Sequence, residues 1–387
     1  MDHDGSPTIA VIGGGQLARM MQQAAIGLDV SLRLLAEDPQ ASAAQVVRDP
    51  LVGEHGDLDA LRAAVQGCAV VTFDHEHVPT GHLRALQAAG TACGPGPDAL
   101  VHAQDKTVMR ARLTELGIPC PRHAVVTGAA DLDVFADSVG GYPVVLKTTR
   151  GGYDGKGVWM IGSADEAAEV LAVTDAATLL VEEKVDFVRE LSAVVARSPS
   201  GQQAAYPVVE SVQRAGICVE VTAPAPGLDP DLAVHAQWIG MRIADKLGVT
   251  GILAVELFET VDGRVLVNEL AMRPHNTGHW SIDGAVTSQF ENHLRAVLDL
   301  PLGDPSARAP WTVMVNILGG RVGRLHDGLP HVLARDPGAR VHLYGKTVLP
   351  GRKVGHVTTY GTDLEDVRER ARHAAHWFDG SLGDDSG

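Results

Sequence analysis

Glu256 and Glu269 stand on either side of Asp262-Gly263, between the apolar runs GILAVELFET and RVLVNELA. Asp-Gly between such runs predicts a two-residue hairpin turn. Counting outward from that turn pairs Glu256 with Glu269, on one face of a ladder. Like charges directly opposite destabilise a sheet unless a cation lies between them. Magnesium takes one or two carboxylates together with phosphate oxygens, and Asn268 adjoins the pair. Glu256, Glu269 and Asn268 are therefore expected to hold Mg2+, with Mn2+ as a substitute. A second stretch, KTTRGGYDGKGVWMI from Lys147, sets Gly152, Tyr153, Asp154, Gly155, Lys156 and Gly157 between the strand-like runs YPVVLK and VWMI. It is not a Walker loop, because Gly157 follows Lys156 where a hydroxyl residue is required. Amides of a glycine hairpin still cradle a triphosphate, with Lys147 and Lys156 as point charges. A merely flexible surface loop would not explain Lys147 at the end of an apolar strand.

Near the start, GGGQLA matches G-x-G-x-x-A from Gly13 through Gly15 to Ala18. Glu37 ends the next strand-like run, where a ribose-binding acid sits in a dinucleotide fold. Any phosphate at that helix N-terminus wants the same glycines and free amides. The pattern leaves open a dinucleotide, another phosphorylated small molecule and a purely structural turn, and the second is favoured. Glu182, Glu183 and Glu190 flank another strand pair, where a carboxylate could accept ribose hydroxyls and backbone could meet an adenine edge. Solvated charge explains them equally well. Arg273, Lys346, Arg352 and Lys353 stand out in an acidic chain and read as an anion pocket for a second, non-nucleotide phosphate. The histidines of DHEH (from Asp74) and RPHNTGHW lack HExxH spacing and an evident third ligand, so supporting loop roles are expected of them rather than catalytic zinc.

Positioning these groups takes more than one core, and 387 residues suffice for two or three domains. TIAVIGGG, QLARMMQQAAIGL, SLRLLAED, DLDALRAAVQG and AVVTFDHEH alternate strand and helix, which predicts a parallel sheet with helices on both faces. The Gly-Pro steps of GPGPDA mark a boundary, giving an N-terminal Rossmann-like domain over 1–105. A mixed α+β domain follows over 106–299, with a mobile lid at about 120–185. A small strand-rich domain, 300–387, ends in the helix DLEDVRERARHAAHWF. A formal net charge of −16 argues against sequence-independent nucleic-acid binding. No apolar run reaches the ~20 residues of a bilayer span, and MDHDGSPT lacks the charge and apolar segment of a signal peptide. Four scattered cysteines without metal-site spacing read as reduced thiols, so a cytoplasmic location is expected.

A triphosphate hairpin, a paired-glutamate magnesium site and a preceding Rossmann-like domain together resemble the ATP-grasp superfamily. IAVIGGGQLARMM, RGGYDGKGVW, NELAMRPHNTGHWSIDGAVTSQFENHLRAV and PGRKVGH narrow the resemblance to the N5-carboxyaminoimidazole ribonucleotide synthetase family, over nearly the whole chain. The resemblance implies a ligase of purine biosynthesis, acting on ATP, bicarbonate and 5-aminoimidazole ribonucleotide through carboxyphosphate, as a homodimer. Carried over by motif, Lys106, Lys147, Gln213 and Gly152 to Val158 meet ATP. Glu182, Glu183, Lys184 and Val185 hold the adenine, Glu190 the ribose, and Asn268 and Glu269 complete the nucleotide–metal site. Tyr153, Asp154, Arg273, His275, Lys346, Arg352 and Lys353 are implied to bind the ribonucleotide, with Gly15, Gln16 and Leu17 approaching it. Lys147, Asp154, Arg273 and His275 would then be the catalytic set, Asp154 or His275 handling the amine proton. Two positions depart from the family pattern: Lys106 stands where arginine is more usual, and Gln213 where histidine is common. Another ATP-grasp carboxylate–amine ligase or carboxylase is the nearest rival. An NAD-dependent oxidoreductase would use GGGQLA but leave the hairpin and the glutamate pair unexplained.

Overall fold

The computed structural model describes residues 5–151, 156–174 and 178–382, arranged as three sheets around one cavity. The first is parallel: β1 (Thr8–Ile12), β2 (Ser31–Ala36), β3 (Leu51–Val52) and β4 (Val70–Phe73), in the order β3-β2-β1-β4. Its strands are apolar on both faces because helices cover both, including α1 (Gln16–Gly27), α2 (Leu58–Val65) and α3 (Thr80–Ala88). GPGPDA is not an open linker. Gly96 caps a short helix, α4 (Pro97–Gln104), and Pro97 occupies its first turn, where the missing N–H costs nothing. Asp105 then caps α5 (Lys106–Glu115), accepting from the amides of Thr107 and Val108.

A small antiparallel sheet follows: β5 (His123–Val126), β6 (Val144–Thr148), β7 (Val158–Ile161) and β8 (Leu179–Glu183), in the order β5-β8-β6-β7. Helices α6 (Ala129–Ser138) and α7 (Ala164–Val173) accompany it, with Leu132, Phe135, Leu146 and Val181 in a core of its own. The glycine hairpin of the sequence joins β6 to β7, and the expectations placed on Gly152, Tyr153, Asp154 and Gly155 lie outside the described residues.

The third sheet holds β9 (Phe187–Arg197), β10 (Gln203–Ala205), β11 (Val209–Arg214), β12 (Ile217–Ala223), β13 (Gly251–Thr260), β14 (Val265–Ala271), β15 (Trp311–Leu318), β16 (Arg340–Leu343) and β17 (Lys353–Gly361). The strand-rich C-terminal part continues this sheet: β15 pairs antiparallel with β12, and β17 with β15. Helix α8 (Pro230–Lys246) packs on β9 and β13. Beyond the short α9 (Ser281–Gly284), α10 (Gln289–Val297) binds the first and third sheets together. Its Phe290, Leu294 and Val297 share a core with Ile9, Val11 and Met21. His293 of α10 pairs with Thr72 Oγ1 at 2.7 Å and accepts from the Ile252 amide at 3.1 Å. After α11 (Leu329–Arg335), the closing helix α12 (Leu364–Asp379) is held by Arg368 and Arg372 on buried Glu220 of β12.

Candidate active site

Asn268 settles how the two glutamates meet. The turn between β13 and β14 has three residues rather than the expected two: the Thr260 amide donates to Arg264 O, with Val261, Asp262 and Gly263 between them. That shifts the pairing by one residue, to Glu259 with Val265 and Leu257 with Val267. A β-bulge at Asn268 then restores the register, so that Glu256 does pair with Glu269. A bulge re-aims the side chains at the extra residue. Here it turns Asn268 Oδ1 to Lys147 Nζ, which donates at 3.1 Å.

Around the pair, cations meet carboxylates in order. Lys106, on the first turn of α5, sits 3.0 Å from Glu269 Oε1. One turn on, Arg110 is fully buried and donates to Glu182 Oε1 at 2.5 Å and to the carbonyls of Val267 and Asn268. Lys147, at the end of β6, lies 2.7 Å from Glu182 Oε2. Burial alone would raise the Glu182 carboxyl; Arg110 and Lys147 outweigh it and hold it down to about 2. The Glu182 side chain is thus committed to protein partners, and Glu183 Oε1 accepts from the Arg122 amide. Lys184 and Val185, next along the chain, line the cavity. The Glu190 side chain makes no hydrogen bond or ion pair among the described residues, and burial raises its carboxyl to about 7. Burial, then the facing Glu269, raise Glu256 as well. Two carboxylates that repel one another in this way fit a divalent cation between them.

Arg273 and His275 follow β14. Arg273 Nε lies 3.3 Å from Glu76 Oε2, and Glu76 Oε1 accepts from the Met272 amide. The His275 backbone is clamped by Gln289 at the start of α10, which accepts from its N–H and donates to its C=O. A Cβ on Gly278 would stand 2.3 Å from Gln289 Oε1, which explains a glycine inside RPHNTGHW. Burial, then the charges of Arg273 and Lys353, hold His275 well below the ordinary imidazole range, so its ring is neutral, with Nε2 3.4 Å from Glu256 Oε1.

Most of these side chains line one cavity of about 1340 Å³, with Arg110 and Gln289 buried behind its wall, above the ~300–1,000 Å³ of a pocket for one small molecule. Lys106, Lys147, Val158, Glu182, Glu183, Lys184, Val185, Asn268 and Glu269 line it toward the small sheet, with Glu256, and with Glu190 and Gln213 of β9 and β11, between the ends. Gln16, Leu17, Arg273, His275 and Lys353 line the opposite end. Lys346 is in contact with Gln16 Oε1 without lining the cavity itself, and Arg352 bonds Thr347 O outside it. Gly15 is also outside, because its amide donates to Asp74 Oδ2 at 2.7 Å while Ala18 N donates to Asp74 Oδ1 at 2.8 Å. Sequence reasoning missed Arg110, Asp74 and Glu76. Arg110 alone left a signal, one helical turn beyond Lys106 on the same face.

A nucleotide-sized chamber between a small antiparallel sheet and a larger one, with carboxylates on the larger, places the molecule among ATP-grasp proteins, and the ATP-grasp domain model matches residues 111–290. The ribonucleotide synthetase preATP-grasp domain matches 7–104, and the phosphoribosylaminoimidazole carboxylase C-terminal domain matches 312–370. N5-carboxyaminoimidazole ribonucleotide synthase of Mycobacterium tuberculosis is 56% identical over 380 residues, 96% of this chain and 88% of that one. The enzyme of that name from Corynebacterium ammoniagenes is 53% identical over 382 residues, covering 97% and 92%. A crystal structure of N5-carboxyaminoimidazole synthase from Aspergillus clavatus, in complex with ADP and 5-aminoimidazole ribonucleotide, superposes with a TM-score of 0.87. It is 30% identical and covers 97% of this chain and 99% of its own. The chain belongs to the N5-carboxyaminoimidazole ribonucleotide synthase family.

Proposed function

We infer that this chain carboxylates 5-aminoimidazole ribonucleotide with bicarbonate at the expense of ATP, releasing N5-carboxyaminoimidazole ribonucleotide, ADP and phosphate. The observation that carries the reading is the distribution of charge along this cavity. Lys106 and Lys147 stand with Glu269, Asn268 and Glu182 in one group, Arg273 and Lys353 belong to another, and Glu256 lies between them, facing Glu269 and 3.4 Å from the neutral His275. ATP lies against Lys106 and Lys147, with its adenine on the backbone near Lys184 and Val185 and its ribose beside Glu190. Glu256, Glu269 and Asn268 would hold Mg2+, which supplies charge neutralisation on the phosphates. The ribonucleotide phosphate lies with Arg273, Lys353 and the Gln16-Leu17 amides, and Lys346 steadies Gln16.

Phosphoryl transfer asks mainly for positioning and charge stabilisation. A bicarbonate oxygen attacks the γ-phosphorus as the bond to ADP breaks, giving carboxyphosphate. Its carboxyl carbon passes as carbon dioxide to the exocyclic amine, phosphate leaves, and the amine proton goes to Asp154 or to His275. Carboxyphosphate decomposes in water, so the glycine hairpin is assigned to cover it. Residues 1–105, 106–299 and 300–387 are taken as the ribonucleotide, nucleotide and closing domains, with about 120–185 as the lid. We also assign the protein to the cytoplasm as a homodimer. The free cysteines and the lack, among the described residues, of a helix long and apolar enough to cross a membrane accord with that location. Turnover of 18O-labelled bicarbonate tests the chemistry: one 18O should appear in the inorganic phosphate, and unlabelled phosphate would exclude carboxyphosphate.

A further inference from the structure

The loops leaving the carboxyl ends of the parallel strands gather titratable side chains that the reaction above does not use. Glu37 follows β2, His55 follows β3, and His75 and His77 follow β4. His55 Nδ1 is in hydrogen-bond contact with Glu37 Oε1. One donor atom from each of Glu37, His55 and His75 lies within 4.8 Å of the others. The rings of His55 and His75 meet edge to face with centroids 4.8 Å apart, and His77 stacks on His75 at 5.2 Å. His75 Nε2 is buried and finds no hydrogen-bond partner among the described residues. Such an atom calls for a partner; because His75 Nδ1 accepts from the His77 amide at 3.2 Å, ligation through Nε2 requires that contact to give way as the ring proton moves to Nδ1.

The surroundings are shaped for this ring. Gly13 has φ +104°, and a Cβ there would stand 2.7 Å from His75 Cδ2. β1 lies between β2 and β4, so the cluster sits where the chain order reverses, the place where open α/β sheets form ligand crevices. Glu37, which the sequence offered as a ribose-binding acid, is turned to a histidine instead.

We propose that Glu37, His55 and His75 form a binding site for a divalent transition-metal ion of the zinc type, opening on the cavity. Two imidazoles and one carboxylate leave a coordination position open and suit zinc, whereas magnesium prefers oxygen donors alone. Tetrahedral donors at zinc's ~2.1 Å stand roughly 3.4 Å apart, so the three must draw in from their present spacing. Glu37 is exposed and lies just past the end of β2, free to make that adjustment, and His77 stands at the cavity wall as a further donor. The same loop carries Asp74, which holds the amides of α1, and Glu76, which holds Arg273. Occupancy would therefore stiffen the ribonucleotide end without touching Glu256 or Glu269. The site stands whether or not the reaction assigned above is right.

The test is calorimetric titration of the metal-stripped full-length protein with Zn2+ in the absence of nucleotide, repeated with Co2+ to read ligand-field absorption. One equivalent should bind at this site, counted in Glu256→Gln so that the facing carboxylates do not contribute. Affinity should fall at least tenfold in His55→Ala and in Glu37→Gln, with the Co2+ absorption lost, and should be unchanged in Glu256→Gln. Glu37→Gln alters an exposed side chain and keeps its shape, so it guards against a His55 variant that fails to fold. Wild-type affinity in a folded Glu37→Gln or His55→Ala, or no stoichiometric binding at all, would overturn the proposal. So would loss of binding only on His331→Ala, since His331 and His373 form a separate pair 3.2 Å apart.

Discussion

A buried carboxylate persists only when its charge is met, and at Glu182 both oxygens are engaged, by Arg110 and by Lys147. Arg110→Ala would leave Glu182 and the Val267 and Asn268 carbonyls short of a buried cation. Breaking such a pair typically costs about 3–5 kcal/mol, and denaturant unfolding should show a loss of that size. The sign of the pH dependence follows from the lowered carboxyl. Its stabilisation is fully present above the ordinary 4.5 and is lost as pH falls toward about 2. In Glu182→Gln the acid limb of the stability curve should therefore be flatter over that interval, and an unchanged limb would contradict the assignment. Lys147, Glu256 and Glu269 were legible because each is a charge out of place in an apolar run. Glu76 was not, and Arg110 showed only its place one turn beyond Lys106, since their partners lie 196 and 72 residues away in sequence and no local pattern carries such a pairing.

Among the elements, helices and strands followed their hydrophobic periods, while the irregularities fell at the site. The Asp-Gly turn predicted the right glutamate pair for an incomplete reason. A longer turn and the bulge at Asn268 offset each other, and a bulge leaves no mark in hydrophobic alternation. Helix α1 shows the same limit. Its glycine motif suggested amides open to a phosphate, yet two of them are taken by Asp74, leaving Gln16 and Leu17 at the cavity. A Cβ on Gly15 would stand 2.2 Å from Asp74 Oδ2. Gly15→Ala should displace that carboxylate, cost ~1–2 kcal/mol of stability as a lost helix cap does, and raise KM for the ribonucleotide more than KM for ATP. Steady-state kinetics on both substrates, beside a melting curve, checks the two effects. Equal changes in both KM values would separate Asp74 from ribonucleotide binding.

At the scale of the molecule, three sheets enclose one cavity, and α10 ties the first sheet to the third through Phe290, Leu294, Val297 and His293. Two substrates from opposite ends can meet only if these layers keep their spacing, and the buried Glu220 with Arg368 and Arg372 fixes the last layer as well. The sequence showed strand-rich segments at both ends of the central region but not that β15 would join β12, because edge-to-edge pairing depends on strands brought together from afar. The central claim is that the nucleotide end and the ribonucleotide end serve one reaction. ADP release measured with magnesium-ATP and bicarbonate, with and without 5-aminoimidazole ribonucleotide, tests it most directly. The account predicts release that depends on the ribonucleotide and matches carboxylated product one for one; release that ignores the ribonucleotide, or none in its presence, would contradict it.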